Sequence, residues 1–477
     1  MKTPQSRSGT SLRYVPGSPP AQPHRPAMEG LVSVLSVLCI AVGGQVLLAD
    51  DTVIRNAQVL TMLDGPEYRQ MDLVVRDGVF ANEAAAADAA VIDAAGKFVI
   101  PGLTEMHAHV PVVRFDQGGE RYREDVLFLW VANGVTLARG MMGHPSHLEL
   151  REALEANEVL GPRLITSGPS FSGRDRTVDG ASSRVREQRA AGYDLLKIHP
   201  GLPAEVFHSV ASTANDEGIE FSGHVTGSVG LIASLEAGQR TIDHLDGFVE
   251  TLVESARLSN RNPSWFGADL AYEADETRIE ATLDALLESG AALVPTETLL
   301  ENVAGSLTEL QSRDEYDYLP PNLRTGYSNA VRGSANAFTA DSAKTFLDLR
   351  KRLIGAAFRA GVPVLLGSDS PQIFNVPGFS IHHELEAMAG AGLSPFEALV
   401  TGTTAPAEFY GQDHRWGSIA PGRSADLIVL RDDPLADIAN TRSIDAVMVR
   451  GRYLSREELD AGLADIRERY RSPPDDA

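Results

Sequence analysis

Cysteine is nearly absent from this chain of 477 residues: Cys39 is the only one, and it lies inside an N-terminal apolar stretch. Removal of that stretch would leave no thiol, which excludes disulfides and thiolate chemistry from the mature protein. Any bound metal would then rely on histidine, carboxylate or modified lysine. Basic residues are also scarce. Lysine and arginine number 42 against 65 acids, a net charge of −23. So acidic a chain suits neither nucleic acid nor an anionic membrane surface. Aromatics are sparse. No apolar run reaches the roughly 20 residues of a comfortable membrane span.

The N-terminus reads as a targeting segment over residues 1–49. Lys2, Arg7, Arg13 and Arg25 precede the apolar run LVSVLSVLCIAVGG, and Ala41-Val42-Gly43 offers a small-x-small cleavage pattern, with cleavage after Ala49 as an alternative. The expectation is an exported protein, periplasmic or secreted; the alternative is an anchor retained in the membrane through this segment. Val37-Leu38 fit a lipoprotein site badly. A start at Met28 would remove the basic flank.

Beyond the leader, short strand patterns fill residues 50–96, with Asp77-Gly78 as a hairpin turn. They recur over 411–455, and the two stretches together predict a small β-sandwich. Between them, apolar strand candidates alternate with helical periodicity: 98–106, 134–140, 162–168, 194–199, 219–225, 241–245, 291–296 and 362–367. Eight such units over residues 97–410 predict a (β/α)8 barrel. Two connections, 247–275 and 299–340, read as long loops, the second carrying Tyr316, Tyr318, Arg324 and Tyr327. Residues 456–477 read as a solvated amphipathic helix and a tail.

The stretch VIPGLTEMHAHV places His107 and His109 two apart at the end of the first barrel strand. Alternate residues of a strand share a face, so both imidazoles can converge on one point. Later strands end in Lys197, His224, His244 and Asp369. In a barrel these ends surround one axial site. Four histidines, a lysine and an aspartate match a centre of two divalent metals, with zinc the default for so much imidazole. Lysine is the odd member, since an ammonium repels cations. A desolvated lysine can lose its proton and take up CO2 as a carbamate, whose two oxygens can bridge two ions. His199, Arg139 and Tyr327 are further residues of interest, supporting the site or facing substrate; for Arg139 an ion pair and substrate binding both stay open. His382 and His383, after a candidate cap at Ser380, read as structural or rim residues. His144, His147, His208 and His414 read as bystanders.

With GVTLARG, LGPRLITSGPSFSG, LLKIH, FSGHV, IDHLDG, LLGSDSP and GSIAPGRSADLIVLRDDPLADI in this order, the chain resembles the amidohydrolase superfamily over roughly residues 52–455. The resemblance is to its imidazolonepropionase-like and Xaa-Pro dipeptidase-like branch. It implies that His107, His109 and Asp369 hold a more buried metal and His224 and His244 a second. Carbamylated Lys197 and a hydroxide would bridge them, with Asp369 as the catalytic proton carrier. Imidazolonepropionases use one metal and lack the bridging lysine, so Lys197 points to the binuclear relatives. The implied activity is hydrolysis of an amide bond in a small molecule, a dipeptide or N-acyl amino acid. A cyclic amide, lactone or ester hydrolase on the same centre is an alternative. A catalytically inactive metal-binding scaffold is another, disfavoured by the complete ligand set.

Overall fold

The computed structural model describes residues 51–112, 119–258, 265–334 and 338–471. The expected targeting segment and the tail beyond residue 471 lie outside them. Among the described residues no helix is long and apolar enough to cross a membrane.

Five strands open the described chain: β1 (Asp51–Leu60), β2 (Tyr68–Arg76), β3 (Val79–Ala81), β4 (Ala90–Asp93) and β5 (Phe98–Pro101). Seven more follow, separated by helices: β6 (Leu103–Ala108), β7 (Val135–Gly140), β8 (Arg163–Thr166), β9 (Leu195–Ile198), β10 (Glu220–Gly223), β11 (Thr241–Asp243) and β12 (Ala292–Val294). The last three are β13 (Leu427–Leu430), β14 (Ile444–Val449) and β15 (Arg452–Ser455).

The N- and C-terminal strands combine, as expected, but into one mixed eight-stranded sheet rather than a two-sheet sandwich. β1 is the branch point. One edge pairs antiparallel with β2; the other is shared, its first half parallel to β4 and its second half to β5. An irregularity between Ile54 and Ala57 lets one strand serve both. Asp77 and Gly78 both have positive φ, 50° and 77°, the backbone that a two-residue hairpin turn demands.

β6–β8 and β9–β12 form two parallel sheets. Bridges join them: Ser167 to Leu195, Leu293 to Val364, and Ala108 to Ser370. The pairings therefore run round a closed parallel ring. β6, β7 and β9 are buried at every position, as expected for parallel strands covered on both faces. The predicted strand 98–106 divides in two. β5 belongs to the mixed sheet and β6 to the ring, and Gly102 makes the crossing because any Cβ there would collide with Thr136. The predicted eighth strand, 362–367, is no regular strand. Pro363 has no N–H to donate, yet Leu293 N donates to its carbonyl, and Leu366 O accepts from Met106 N, so the segment still closes the ring.

The two connections expected as loops are largely helical. Residues after β11 form short helices at Phe248–Thr251 and Ser255–Leu258 and a 3-10 segment at Trp265–Glu273. Those after β12 form helices Glu297–Ala304, Leu307–Ser312 and Pro321–Ser334. Tyr316, Tyr318 and Tyr327 pack against Phe374 and Phe379, so these aromatics close a satellite core instead of lying free. Arg324 stacks on Tyr316. The terminal helix Arg456–Arg471 buries Leu459 and Ile466 and exposes the rest of its charged face.

Candidate metal centre

His107 is the penultimate residue of β6 and His109 follows directly after the strand. Backbone bonds from Met106 N to Leu366 O and from His109 N to Ser370 O, both 2.8 Å, bring that strand end against the segment carrying Asp369. At the rim the chain turns sharply. Asp369, His244, Leu245 and Thr296 have φ of 62°, 63°, 55° and 49°. Left-handed backbone is uncommon in non-glycine residues, most of all in a β-branched one, and such strain gathers at functional sites.

All six predicted ligands meet at this rim. His109 Nε2 lies 2.5 Å and His107 Nε2 3.6 Å from Asp369 Oδ1. His244 Nδ1 lies 3.9 Å from Asp369 Oδ2. Lys197 Nζ is 3.3 Å from His107 Nε2. The rings of His224 and His244 are 4.4 Å apart, and those of His107 and His244 4.6 Å. Among the described residues, buried His107, His244 and Asp369 each offer a ligand atom within 4.8 Å of the others. This triad draws its histidines from both of the implied metal sites.

Two imidazoles show the same division of labour. His224 Nδ1 bonds Asp246 Oδ2 at 2.8 Å, and His244 Nδ1 bonds Thr296 Oγ1 at 2.7 Å. His107 Nδ1 lies 2.9 Å from Asp243 Oδ2. In His224 and His244 Nδ1 is hydrogen-bonded, which leaves Nε2 as the available nitrogen, whereas His107 Nδ1 makes no hydrogen bond among the described residues. His244 Nε2 is buried without a hydrogen-bond partner among the described residues. A buried, unpartnered lone pair is costly unless something occupies it. A divalent cation fits that requirement and the donor set.

Electrostatics agree with neutral donors. Burial lowers the pKa of His107 and His244 well below the usual imidazole value, and that of His224 to about 3, with Lys197 adding to each shift. Lys197 is wholly buried, and its ammonium is disfavoured mainly by desolvation, against the opposing pull of Asp243 and Asp369. Gly223, with φ 117°, makes room for the lysine stem: a Cβ there would lie 2.7 Å from Lys197 Cδ.

Of the supporting candidates, His199 stacks on His224 with ring centroids 5.1 Å apart, and burial lowers it to about 3. Arg139 is fully buried, donating to Met106 O at 2.6 Å and lying 3.4 Å from Asp243 Oδ1, so it forms an ion pair inside the ring. Tyr327 donates its hydroxyl to Pro371 O at 3.0 Å, which steadies the segment after Asp369. His382 and His383 are structural, bonded to Thr441 and Glu315, and their helix is capped by Gly378, not Ser380.

Sequence reasoning missed Asp243, Asp246, Thr296, Gln372 and Phe266. Gln372 Nε2 donates to Asp369 Oδ1 at 3.1 Å, and Phe266 lies 5.5 Å from the His244 ring. The acids had a signal: IDHLDG sets one on each side of a strand-end histidine. Phe266 had none.

Comparison with known proteins places this geometry in context. Residues 98–454 match the amidohydrolase family. An uncharacterised protein of Mycobacterium tuberculosis is 24% identical over 412 residues, spanning 81% of this chain and 93% of its own. Among solved structures, bottromycin amidohydrolase superposes with a TM-score of 0.67 at 23% identity, covering 88% of this chain and 91% of its own. A Xaa-Pro dipeptidase with methionine bound in its active site gives 0.61 at 18% identity, covering 85% and 100%. At these identities the likenesses show a shared fold.

Proposed function

The chain belongs to the amidohydrolase family, and from that footing we propose that it is an exported, metal-dependent hydrolase of an amide bond in a dipeptide or N-acyl amino acid. The observation that carries the reading is the gathering of His107, His109 and His244 around Asp369, with His244 Nε2 buried and unpartnered among the described residues, beside a wholly buried lysine. The parallel ring is read as the (β/α)8 barrel of the family, with the site at the C-terminal ends of its strands.

His107, His109 and Asp369 would hold one ion and His224 and His244 a second, most simply zinc, with the triad of His107, His244 and Asp369 as their common face. Neutral Lys197 would add to CO2 and lose a proton, and the resulting carbamate would supply two more oxygen donors. When bound, the ions lower the pKa of a water and polarise the substrate carbonyl. Asp369 accepts the proton of the attacking water on its carboxylate and hands it to the leaving amine. Gln372 holds Asp369 Oδ1, and Asp246 and Thr296 hold the His224 and His244 rings. Phe266 lies beside the two rings.

The test is a hydrolysis screen of dipeptides and N-acyl amino acids on zinc-loaded protein, with and without chelator, beside elemental analysis. Chelator-sensitive cleavage and two ions per chain are expected. A protein that takes up no metal and cleaves nothing in the panel refutes the reading. N-terminal sequencing of natively expressed protein tests export; an intact Met1 or Met28 overturns it.

A further inference from the structure

The chain bends sharply at the end of β11. Asp246 N donates to Asp243 O at 3.1 Å, and the two residues between them, His244 and Leu245, both have left-handed backbone, φ 63° and 55°. This one turn serves both histidines of the proposed second ion. It carries His244 itself, and it carries Asp246, whose Oδ2 bonds His224 Nδ1 at 2.8 Å. A second bend stands opposite at Thr296, φ 49°, whose Oγ1 lies 2.7 Å from His244 Nδ1. None of these three residues is a glycine, so their conformation needs support from the surrounding structure.

Arg350 supplies it. This residue of helix Ala340–Ala360 is wholly buried, and its guanidinium spreads between the two bends. Nη1 donates to His244 O at 2.8 Å, Nη2 to Pro295 O at 3.1 Å and Nε to Glu297 Oε2 at 2.8 Å. The acceptors are thus the carbonyl of a ligand residue and the two neighbours of Thr296. Buried Glu384, on helix Phe379–Gly390, steadies the second bend from its own side, accepting from Glu297 N at 2.9 Å and from Thr298 N at 2.8 Å. A planar fork with fixed donor directions imposes one geometry on three acceptors, which a lysine ammonium on a flexible stem does not. A buried cation also needs a counter-ion, and Glu297 provides it.

We propose that Arg350 is a positioning residue of the metal centre: by clamping His244 O against Pro295 O and Glu297 it fixes the turn Asp243–Asp246, and so aims His244 directly and His224 through Asp246. The inference rests on the reading of these two histidines as metal ligands, and it assigns the shape of their half of the centre to a residue 106 positions along the chain. The other half is anchored separately, by His109 N to Ser370 O and Met106 N to Leu366 O. Disturbing Arg350 therefore affects the two ions unequally.

Removing Arg350 alone would strand the charge of Glu297 in the core. Two variants avoid this. Arg350→Met combined with Glu297→Gln removes both charges, and Arg350→Lys keeps a cation but loses the fork. Zinc is titrated on the full chain against a chromophoric chelator, with His244→Ala marking which ion belongs to His244 and thermal melts run alongside. That ion should bind about 10–100-fold more weakly in both variants, the usual effect of losing a partner that orients a ligand, and the other ion should lose less. A second readout needs no metal. In chelator-treated protein with 15N-labelled histidine, the His244 ring should carry its proton on Nδ1 in wild type and show a mixture of tautomers in the variants, as in Thr296→Val. Equal weakening of both ions would mean that Arg350 only holds the core together, and overturns the proposal, as does wild-type affinity for both. If wild type binds no zinc, the hydrolase reading falls and the histidine spectrum decides the role of Arg350: an altered His244 ring upholds it. An unaltered His244 ring in both variants overturns it whether or not zinc binds.

Discussion

Asp246 Oδ2 accepts a hydrogen bond from His224 Nδ1 at 2.8 Å and from Val225 N at 3.2 Å, so one buried carboxylate orients the imidazole and anchors the backbone beside it. Such outer partners fix which ring nitrogen faces a metal, and their loss typically costs about 10–100-fold in affinity or activity. Asp246→Ala should therefore weaken zinc binding and lower kcat/KM by that range, while His107 and His109 keep their surroundings. Competition with a chromophoric chelator measures the affinity. Unchanged zinc affinity would remove Asp246 from the site.

Lys197 decides between a bridged pair of ions and a single one. Lys197→Ala should lose at least one ion per chain together with activity, and added propionate should restore part of both by occupying the vacated bridge. The measurement is metal content beside kcat, with the melting temperature as a control for the hole left in the core. An active variant with the wild-type metal content, or a wild type active with one ion, would mean that no bridge exists.

Asp369→Asn should leave the fold intact. It removes a ligand and a proton carrier at once, and the loss of the second role alone is about 10²–10⁴-fold in kcat. Steady-state turnover at saturating metal reads this directly. Wild-type kcat in the variant would assign the proton to another group.

His147 makes stability depend on pH away from the site. It is fully buried, and neither ring nitrogen has a hydrogen-bond partner among the described residues. Burial, reinforced by His144 and Arg123, lowers its pKa to about 4 from the ordinary imidazole value of 6.5. Below pH 6.5 the unfolded chain binds a proton that the folded chain refuses until about pH 4. Its effect on stability is therefore absent above pH 6.5 and grows as a penalty through that window, on the order of 3 kcal/mol at its lower end. His147→Leu should lose less stability between pH 7 and pH 5 than wild type. Urea midpoints at the two values provide the comparison, and parallel losses would contradict it.

The ligand residues were legible because each ends an apolar run, and alternation along a strand needs no partner to be read. His107 and His109 show their common face in six letters of sequence. The hairpin at Asp77-Gly78 was equally local. Other features depend on what lies across the ring. Arg139 could be an ion pair or a substrate residue until Met106, Thr241 and Asp243 closed around it, two of them about a hundred residues away. Tyr327 stood in an apparent loop until the helix Pro321–Ser334 and Phe374 gave it a place. The mixed sheet was taken for a sandwich because strand periodicity does not say which edges pair, and the two-sided sharing of β1 lies in the pairing alone.

Strand ends, their ligand types and the family motifs are properties of short segments, set by backbone geometry and local chemistry, and they can be read from the chain in order. Which nitrogen of each histidine points inward, which acid holds it there, and which carboxylate is left without a partner are set by contacts between segments far apart in the chain. Those contacts come into being only when burial brings the segments together. For that reason Asp246 and Glu250, four residues apart and both acidic, look alike in sequence and differ in the folded protein: one is bonded to His224, and the other keeps a buried oxygen that nothing among the described residues satisfies.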